Sequence, residues 1–260
     1  MVHDEIEIVD VNAANIFNFG VCGYKNIKRE GYLEKVNWLK DRFAEGLKLK
    51  ILTSSINGTQ GMIEYIPGQF CWRPVEAPGY MFIHCIFSGF KRAYKGKGYG
   101  SRLLQVAITD ALTQHMYGIA VVTRKGAFMA GKELFIKHDF HVVDKIPPDF
   151  ELLIKKFDQH APIPHFKKHI QQSLASYNEG LTILRADQCP YTVKNVREIS
   201  ESANEIYGLK TRIVNFTNFK EAQNSPCAFG TFCIIYNGEI ISYHPISNTR
   251  FKNIMKKIMR

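Results

Sequence analysis

Apolar positions along the chain change period several times, and each change marks an element. "EIEIVDV" near the start alternates at period two, as a half-buried strand does. "YLEKVNWLKDRFAEGL" carries Leu33, Val36, Leu39 and Phe43 at helical spacing. "LKLKILTSS" reads as a strand, and Asn57-Gly58 suits a tight primed turn into a second one, "GMIEYIPGQFCW". "YMFIHCIF" is a further strand, followed by glycines and an amphipathic helix from Gly100 to His115. "GIAVVTRK" is a continuous apolar run, expected of a strand covered on both faces. "GKELFIKHDF" predicts a short helix, and "HVVDKI" and "FELLIKKF" two closing strands. The order is β-α-β-β-β-α-β-α-β-β, an α/β (α+β) domain over residues 1–157: a mixed sheet with flanking helices.

Pro162 and Pro164 interrupt the pattern, and residues 158–180 read as a linker with one helix over Lys167 to Ser176. A smaller α/β domain occupies 181–260. It begins with strand "LTILRAD", turn "QCPY", helix "VKNVREISESANEIYG" and strand "LKTRIVNF". A short helix follows, then a hairpin turning at Asn237-Gly238 and a basic terminal helix. The chain has no internal repeat and no low-complexity tract.

Composition narrows the partners. Of 260 residues, 45% are hydrophobic and 12% aromatic, enough for real cores. A formal charge of +10 favours an anionic ligand. Lysines and arginines are interleaved with acids, however, so most of them read as solvated surface, and no specific nucleic-acid binding is expected. The stretch Lys252 to Arg260 reads as a helix end complementing its dipole. No run of 18 apolar residues exists, so no membrane association is expected. The start is acidic and strand-like, without a basic-then-apolar leader. Six cysteines show no zinc-ligand spacing and no dense disulfide frame. A reduced, cytoplasmic protein without metal fits these features. The sequence does not decide between a monomer and a homodimer.

The glycine turn carries the first chemistry. Lys95, Gly96, Lys97, Gly98, Tyr99, Gly100 and Ser101 lie between an apolar strand and a helix. Glycines allow close backbone approach to a ligand. A helix N-terminus offers free N–H groups and partial positive charge, together an anion site. The segment is not a P-loop, because no Lys-Ser/Thr follows the second glycine. It is not a dinucleotide fingerprint either, because Asp110 falls inside the helix.

The turn resembles the acetyl-coenzyme-A motif of the GNAT N-acetyltransferases: Arg or Gln, two residues, Gly, one residue, Gly or Ala. Lys95 takes the first place, and Gly98 and Gly100 the glycine places. The resemblance covers residues 5–157 and implies a GNAT fold using acetyl-CoA as acyl donor and a small amine as acceptor. It further implies that the turn binds the pyrophosphate and that two central strands splay to admit pantetheine, with Phe87 the contact best placed for it. Two departures stand out in "LFIKHDF": Phe135 occupies the place of the family's proton-donating Tyr, and Asp139 that of a Gly.

Acyl transfer needs a base for the amine proton. His84 and Glu64, on strands beside the expected cleft, are the candidates. The plain structural readings are a satisfied sheet histidine and a solvent-facing acid. On a regular strand, Cys85 and His84 face opposite sides, which counts against their pairing.

In the second domain, Cys189-Pro190-Tyr191-Thr192 sits between strand and helix, where the dipole favours a thiolate. It resembles the glutaredoxin turn Cys-Pro-Tyr-Cys with Thr192 in place of the second cysteine. This implies a thioredoxin-like domain, with Ser225-Pro226 where that family keeps a cis-proline. Cys227 reads either as a resolving thiol or as a buried, inert one, and Cys233 as core. The tract "ADQCPYTVKNVREI" with "IIYNGEIISYHPISNTRFKNIMKK" after a GNAT domain is similar to the YoaP-like acetyltransferases. The competing reading is a thiol-binding or redox protein of monothiol glutaredoxin type with a degenerate acetyltransferase half.

Overall fold

The computed structural model describes residues 3–170 and 172–259. The chain forms two compact units, Met1–Ile27 with Val36–Cys71 and Val75–Phe166, and Lys28–Lys35 with Trp72–Pro74 and Lys167–Arg260.

Through residue 166 the elements are β1 (Ile6–Val11), α1 (Ile16–Phe19), α2 (Tyr32–Ala44), β2 (Lys48–Ser54), β3 (Gly58–Pro67), β4 (Val75–Glu76), β5 (Tyr80–Ser88), α3 (Tyr99–Thr113), β6 (Gly118–Thr123), α4 (Glu133–Ile136), β7 (His141–Ile146), β8 (Phe150–Lys156) and β9 (His165–Phe166). The large sheet has the order β1-β2-β3-β5-β6-β8-β7. Its pairs are antiparallel except β5 with β6, which run parallel. Helix α3 is the crossover a parallel pair requires. Leu103, Leu104, Ala107, Ile108 and Ala111 pack it on Ile63, Tyr65, Met81, Ile83 and Val121. β6 is buried at every position, as its unbroken apolar run predicts.

Two local expectations are corrected, and one ladder is new. Leu33 is exposed; the buried stripe of α2 runs through Tyr32, Val36 and Leu39 instead, with Phe43 half-buried. Leu33 lies one residue, about 100°, off that stripe. The turn between β2 and β3 is not the two-residue primed turn, which needs positive φ at both central positions. Ser54 pairs with Gly58 across three turn residues, and of Asn57 and Gly58 only the glycine has positive φ. A two-stranded β4-β9 ladder was not foreseen, because neither strand exceeds two residues.

The second unit contains β10 (Leu181–Arg185), α5 (Tyr191–Tyr207), β11 (Thr211–Asn215), α6 (Phe219–Gln223), β12 (Phe232–Tyr236), β13 (Glu239–Ser242) and α7 (Asn248–Ile258). Its sheet has the order β11-β10-β12-β13, with β10 and β11 parallel and the other pairs antiparallel. Gly208 ends α5 in the left-handed conformation. The expected hairpin turns at Asn237 and Gly238, which both have positive φ, as a two-residue primed turn requires. The possible linker helix over Lys167 to Ser176 is not an α-helix among the described residues. The segment Gln172–Tyr177 is a 3-10 turn, and Gln171 lies outside the described residues. Within this unit Arg73 is buried and donates through Nη1 to Trp72 O at 3.0 Å, Gln188 Oε1 at 3.1 Å and Thr231 Oγ1 at 3.2 Å. A buried guanidinium needs such partners.

Candidate active site

The site begins where two strands part. β5 and β6 pair only from Tyr80–Gly118 to Ile83–Val121. β5 then continues to Ser88 against β3, and β6 to Thr123 against β8. Each strand stays on its outer neighbour, so a gap opens between them. The ladder between β5 and β6 does not continue beyond Ile83 and Val121. A parted edge offers backbone donors and acceptors to an extended ligand.

Beyond the gap the chain is braced from both sides. Gln60 of β3 accepts from Gly89 N (2.8 Å) through its carbonyl and from Lys91 N (3.2 Å) through Oε1. Tyr94 is buried, donating to Asp4 Oδ2 at 2.6 Å, accepting from Asn57 Nδ2 at 2.6 Å and lying 2.9 Å from Ser54 Oγ. Hydrogen bonds from Ser54 and then Tyr94 hold the Asp4 carboxyl below its ordinary range. None of these braces was visible as a site residue in the sequence. Only the position of Tyr94 directly before the glycine motif hinted at it.

Between brace and helix, Gly96 and Gly98 have φ of 69° and 76°, and a methyl group built on either would meet no heavy atom within 4 Å. The turn is therefore open, and its glycines are demanded by backbone conformation. Lys95 and Lys97 are exposed. Gly98 caps α3 without a side chain, and the first helical hydrogen bond runs from Arg102 N to Gly98 O at 3.1 Å. The amides of Tyr99, Gly100 and Ser101 thus stand outside the helix ladder, as an anion cradle requires. Gly100 differs, since an added methyl would touch Ser88 Oγ at 3.4 Å and Leu134 at 3.6 Å, ordinary contacts. A pyrophosphate fits this donor set. Phe87 is half exposed on the parted segment, its ring 4.5 Å from that of Phe90.

Glu64 and His84 come together. His84 Nδ1 is 3.5 Å from Glu64 Oε1, and both side chains are fully buried. Glu64 is not the solvent-facing acid of the plain reading. The His84 ring lies 6.1 Å from Trp38 and 6.0 Å from Phe82. The alternation rule also fails here, for a physical reason. Glu64 pairs with Cys85 and Tyr65 with Ile83, leaving His84 as an extra residue in a bulge. Ile83 and Ile86 both pack against the core under α3, so His84 and Cys85 share the opposite face.

Phe135 is buried in that core, 5.4 Å from Phe140. It supplies packing and no proton. Asp139 has φ of 64°, in the left-handed region that favours glycine, and it pairs with Lys155 at 3.0 Å. An acid-base network on the α3 side went unforeseen: Tyr65 donates to Asp110, and Lys50 lies 3.1 Å from Asp110 and 2.5 Å from Asp10. Burial, and then the Asp110 bond, push the Tyr65 phenol far above its ordinary range. A cavity of about 530 Å³ lies at the end of β6, lined by Thr123, Arg124, Lys132, Lys145, Asp149 and Glu151 among others.

In the second unit Cys189 is half-buried just before α5, and Pro190 is the helix cap. Thr192 donates to Cys189 O through Oγ1 at 2.8 Å and through N at 3.1 Å. Cys227 is buried and directed at Tyr243 O, 3.7 Å away. Burial, and then Cys227 beside it, raise the Cys233 thiol well above its ordinary range. The one cis bond among the described residues joins Pro147 to Pro148, so the bond before Pro226 is not the expected cis one. Among the described residues no cluster of His, Cys, Asp and Glu could hold a metal, and no helix is long and apolar enough to cross a membrane.

A family model described as YoaP-like matches residues 211–253. Over 255 residues the chain is 28% identical to YoaP of Bacillus subtilis strain 168, described as an uncharacterized N-acetyltransferase; the match covers 96% of this chain and 98% of that one. Among solved structures, a GNAT-family acetyltransferase from Staphylococcus aureus Mu50 is similar at 13% identity and a TM-score of 0.43, covering 59% of this chain and 100% of that one. The PaiA N-acetyltransferase of Thermoplasma acidophilum, in complex with coenzyme A, is similar at 16% identity and a TM-score of 0.38, covering 59% and 99%.

Proposed function

We propose that this protein transfers an acetyl group from acetyl-CoA to the amine of a small molecule. The observation that carries the reading is the parting of β5 from β6 beside an open, uncapped glycine turn. Near full-length similarity to an N-acetyltransferase supports it. In this reading the amides from Gly96 to Ser101 hold the pyrophosphate, and the parted edge of β5 from His84 to Phe87 holds the pantetheine arm. His84 takes the proton of the attacking amine, with Glu64 fixing its ring and stabilising the imidazolium. The smaller unit, whose sheet order and Cys189 turn we read as thioredoxin-like, is an appended binding module in a cytoplasmic protein. Coenzyme thiol release measured across a panel of small amines tests the reading. At least one amine should raise release above the hydrolytic background, and His84→Gln should lower kcat by about 10²- to 10⁴-fold with little change in the KM for acetyl-CoA. Release that no amine stimulates would leave the thiol-binding reading, favoured only by the Cys189 turn, in its place.

A further inference from the structure

Resting on the acetyltransferase reading, we propose that the cavity at the end of β6 holds the acceptor, and that the acceptor is an amine carrying a carboxylate or phosphate, which Lys132 and Lys145 bind. In the sheet order β5-β6-β8-β7 the glycine turn follows β5, while the cavity is lined from β6, β8, the end of β7 and the start of α4. It therefore lies across β6 from the place of the pyrophosphate. Its wall nevertheless reaches the gap between the parted strands. Thr123 in that wall is two residues past Val121, the last rung between β5 and β6, a rise of about 7 Å. By alternation, Thr123 and its partner Glu151 share the face of Val121 and Leu153, which pack under α3. An acceptor anchored there extends its amine along β6 into the gap, where the thioester end of the pantetheine arm would lie. A cavity of about 530 Å³ is of the size that small ligands fill.

Charge decides the class of acceptor. Four cations line the cavity, Arg124, Lys125, Lys132 and Lys145, against three carboxylates, Glu133, Asp149 and Glu151. Two of those carboxylates already hold cations. Asp149 Oδ1 is 2.8 Å from Arg124 Nη2. Glu151 is shared between two ammonium groups, at 2.8 Å from Lys132 Nζ and 3.1 Å from Lys145 Nζ. The Lys132 bond, opposed by burial and helped by the Lys145 bond, keeps the Glu151 carboxyl below its ordinary range, so it is ionised at neutral pH. One carboxylate between two lysines leaves one positive charge over. Each ammonium has three donors and commits only part of them to Glu151. The Glu151 side chain is 17% exposed, that of Lys132 40% and that of Lys145 69%, so donors remain for a ligand entering from solvent. A ligand anion there makes charge-assisted hydrogen bonds to both lysines, each about twice as strong as a neutral one. A diamine fits poorly, because Asp149 and Glu151 are occupied and its second ammonium would compete with their cations.

The test uses the whole protein with saturating acetyl-CoA and a panel of small amines, read by coenzyme thiol release. The panel includes β-alanine, O-phosphoethanolamine, ethanolamine and ethylenediamine, which share an aminoethyl group and differ in charge. The expected result is a kcat/KM about tenfold or more higher for one of the two anionic amines than for ethanolamine, and the better of the two tells carboxylate from phosphate. Lys132→Gln and Lys145→Gln should each cut that preference by about fivefold or more, through the KM for the amine. Glu151→Gln, which releases both lysines, should strengthen it instead, an opposite sign that mere loss of packing would not give. Circular dichroism checks each fold, and the exposed Lys145 supplies the deciding variant if Lys132→Gln does not fold. A best acceptor without an anionic group, or a preference that none of the substitutions moves, overturns the assignment and leaves the transferase reading standing. A rise in the KM for acetyl-CoA in place of that for the amine gives the cavity to the coenzyme and overturns it too. Release that no amine stimulates removes the transferase reading and the assignment together.

Discussion

At the level of single residues, the glycine turn separates two kinds of contribution. Gly98 is left-handed at the cap of α3, with open space around it. Gly98→Val meets no clash there but forces a β-branched residue into positive φ, at a cost of about 1–2 kcal/mol, and places a side chain where the ligand must approach. Lys97 is exposed, so its charge is screened. Titration calorimetry with acetyl-CoA at physiological salt should show Gly98→Val losing far more affinity than Lys97→Ala; equal losses would contradict the cradle. The brace makes a second test. Asp4 has a lowered pKa, so its contribution is full above the ordinary value of 3.8 and is lost as pH falls through the lower folded value. The stability difference between wild type and Asp4→Asn, from denaturant unfolding, should therefore be constant near neutrality and shrink in acid; a difference that grows in acid would refute the bond network. The motif glycines and the Glu64 and His84 residue types were legible in the sequence because each has its own chemistry. The burial of Glu64 was not, because β3 alone looks like an alternating strand. The partnership of Tyr94 with Asp4, 90 residues apart, has no local signal.

Among the elements, period and length carried most of the fold. α3, β6 and α5 are long and strongly patterned, and they appear close to where the pattern puts them. What could not be read is what depends on pairing. The bulge at His84 exists only in the register between β3 and β5. The parting of β5 from β6 was expected from the family resemblance alone and has no residue pattern of its own, because it arises where each strand follows a different neighbour. The two-residue strands β4 and β9 are too short to carry a period. Helix α5 gives the prediction that belongs here. Its first-turn amides lie just beyond Cys189, and an anionic thiolate gains from that end of a 17-residue helix. Cys71, Cys227 and Cys233 are buried. Without acetyl-CoA, limited iodoacetamide labelling with peptide mapping should find Cys189 the fastest of the six thiols. If it reacts no faster than Cys22, the helix end gives it no special reactivity, and the unit is a structural module.

For the molecule as a whole, the grouping of residues 28–35 and 72–74 with the second unit shows how far linear order can mislead. Composition and Pro-rich breaks mark a boundary near residue 160, but a buried arginine such as Arg73 is assigned by its partners Gln188 and Thr231, over 100 positions away. The charge of +10 is likewise a property of the whole chain, and its interleaving with acids argues for solvated surface and a small anionic ligand. A gel shift with DNA or RNA should accordingly give no discrete complex at physiological salt, whereas tight, salt-sensitive retardation would favour a nucleic-acid partner. The central claim is that the parted strands and the glycine turn form a coenzyme site. Titration of the intact protein with acetyl-CoA tests it most directly. The account predicts saturable binding of one acetyl-CoA per chain, weakened by Gly98→Val while circular dichroism shows the fold intact. Absence of any saturable heat from the folded wild-type protein would contradict it.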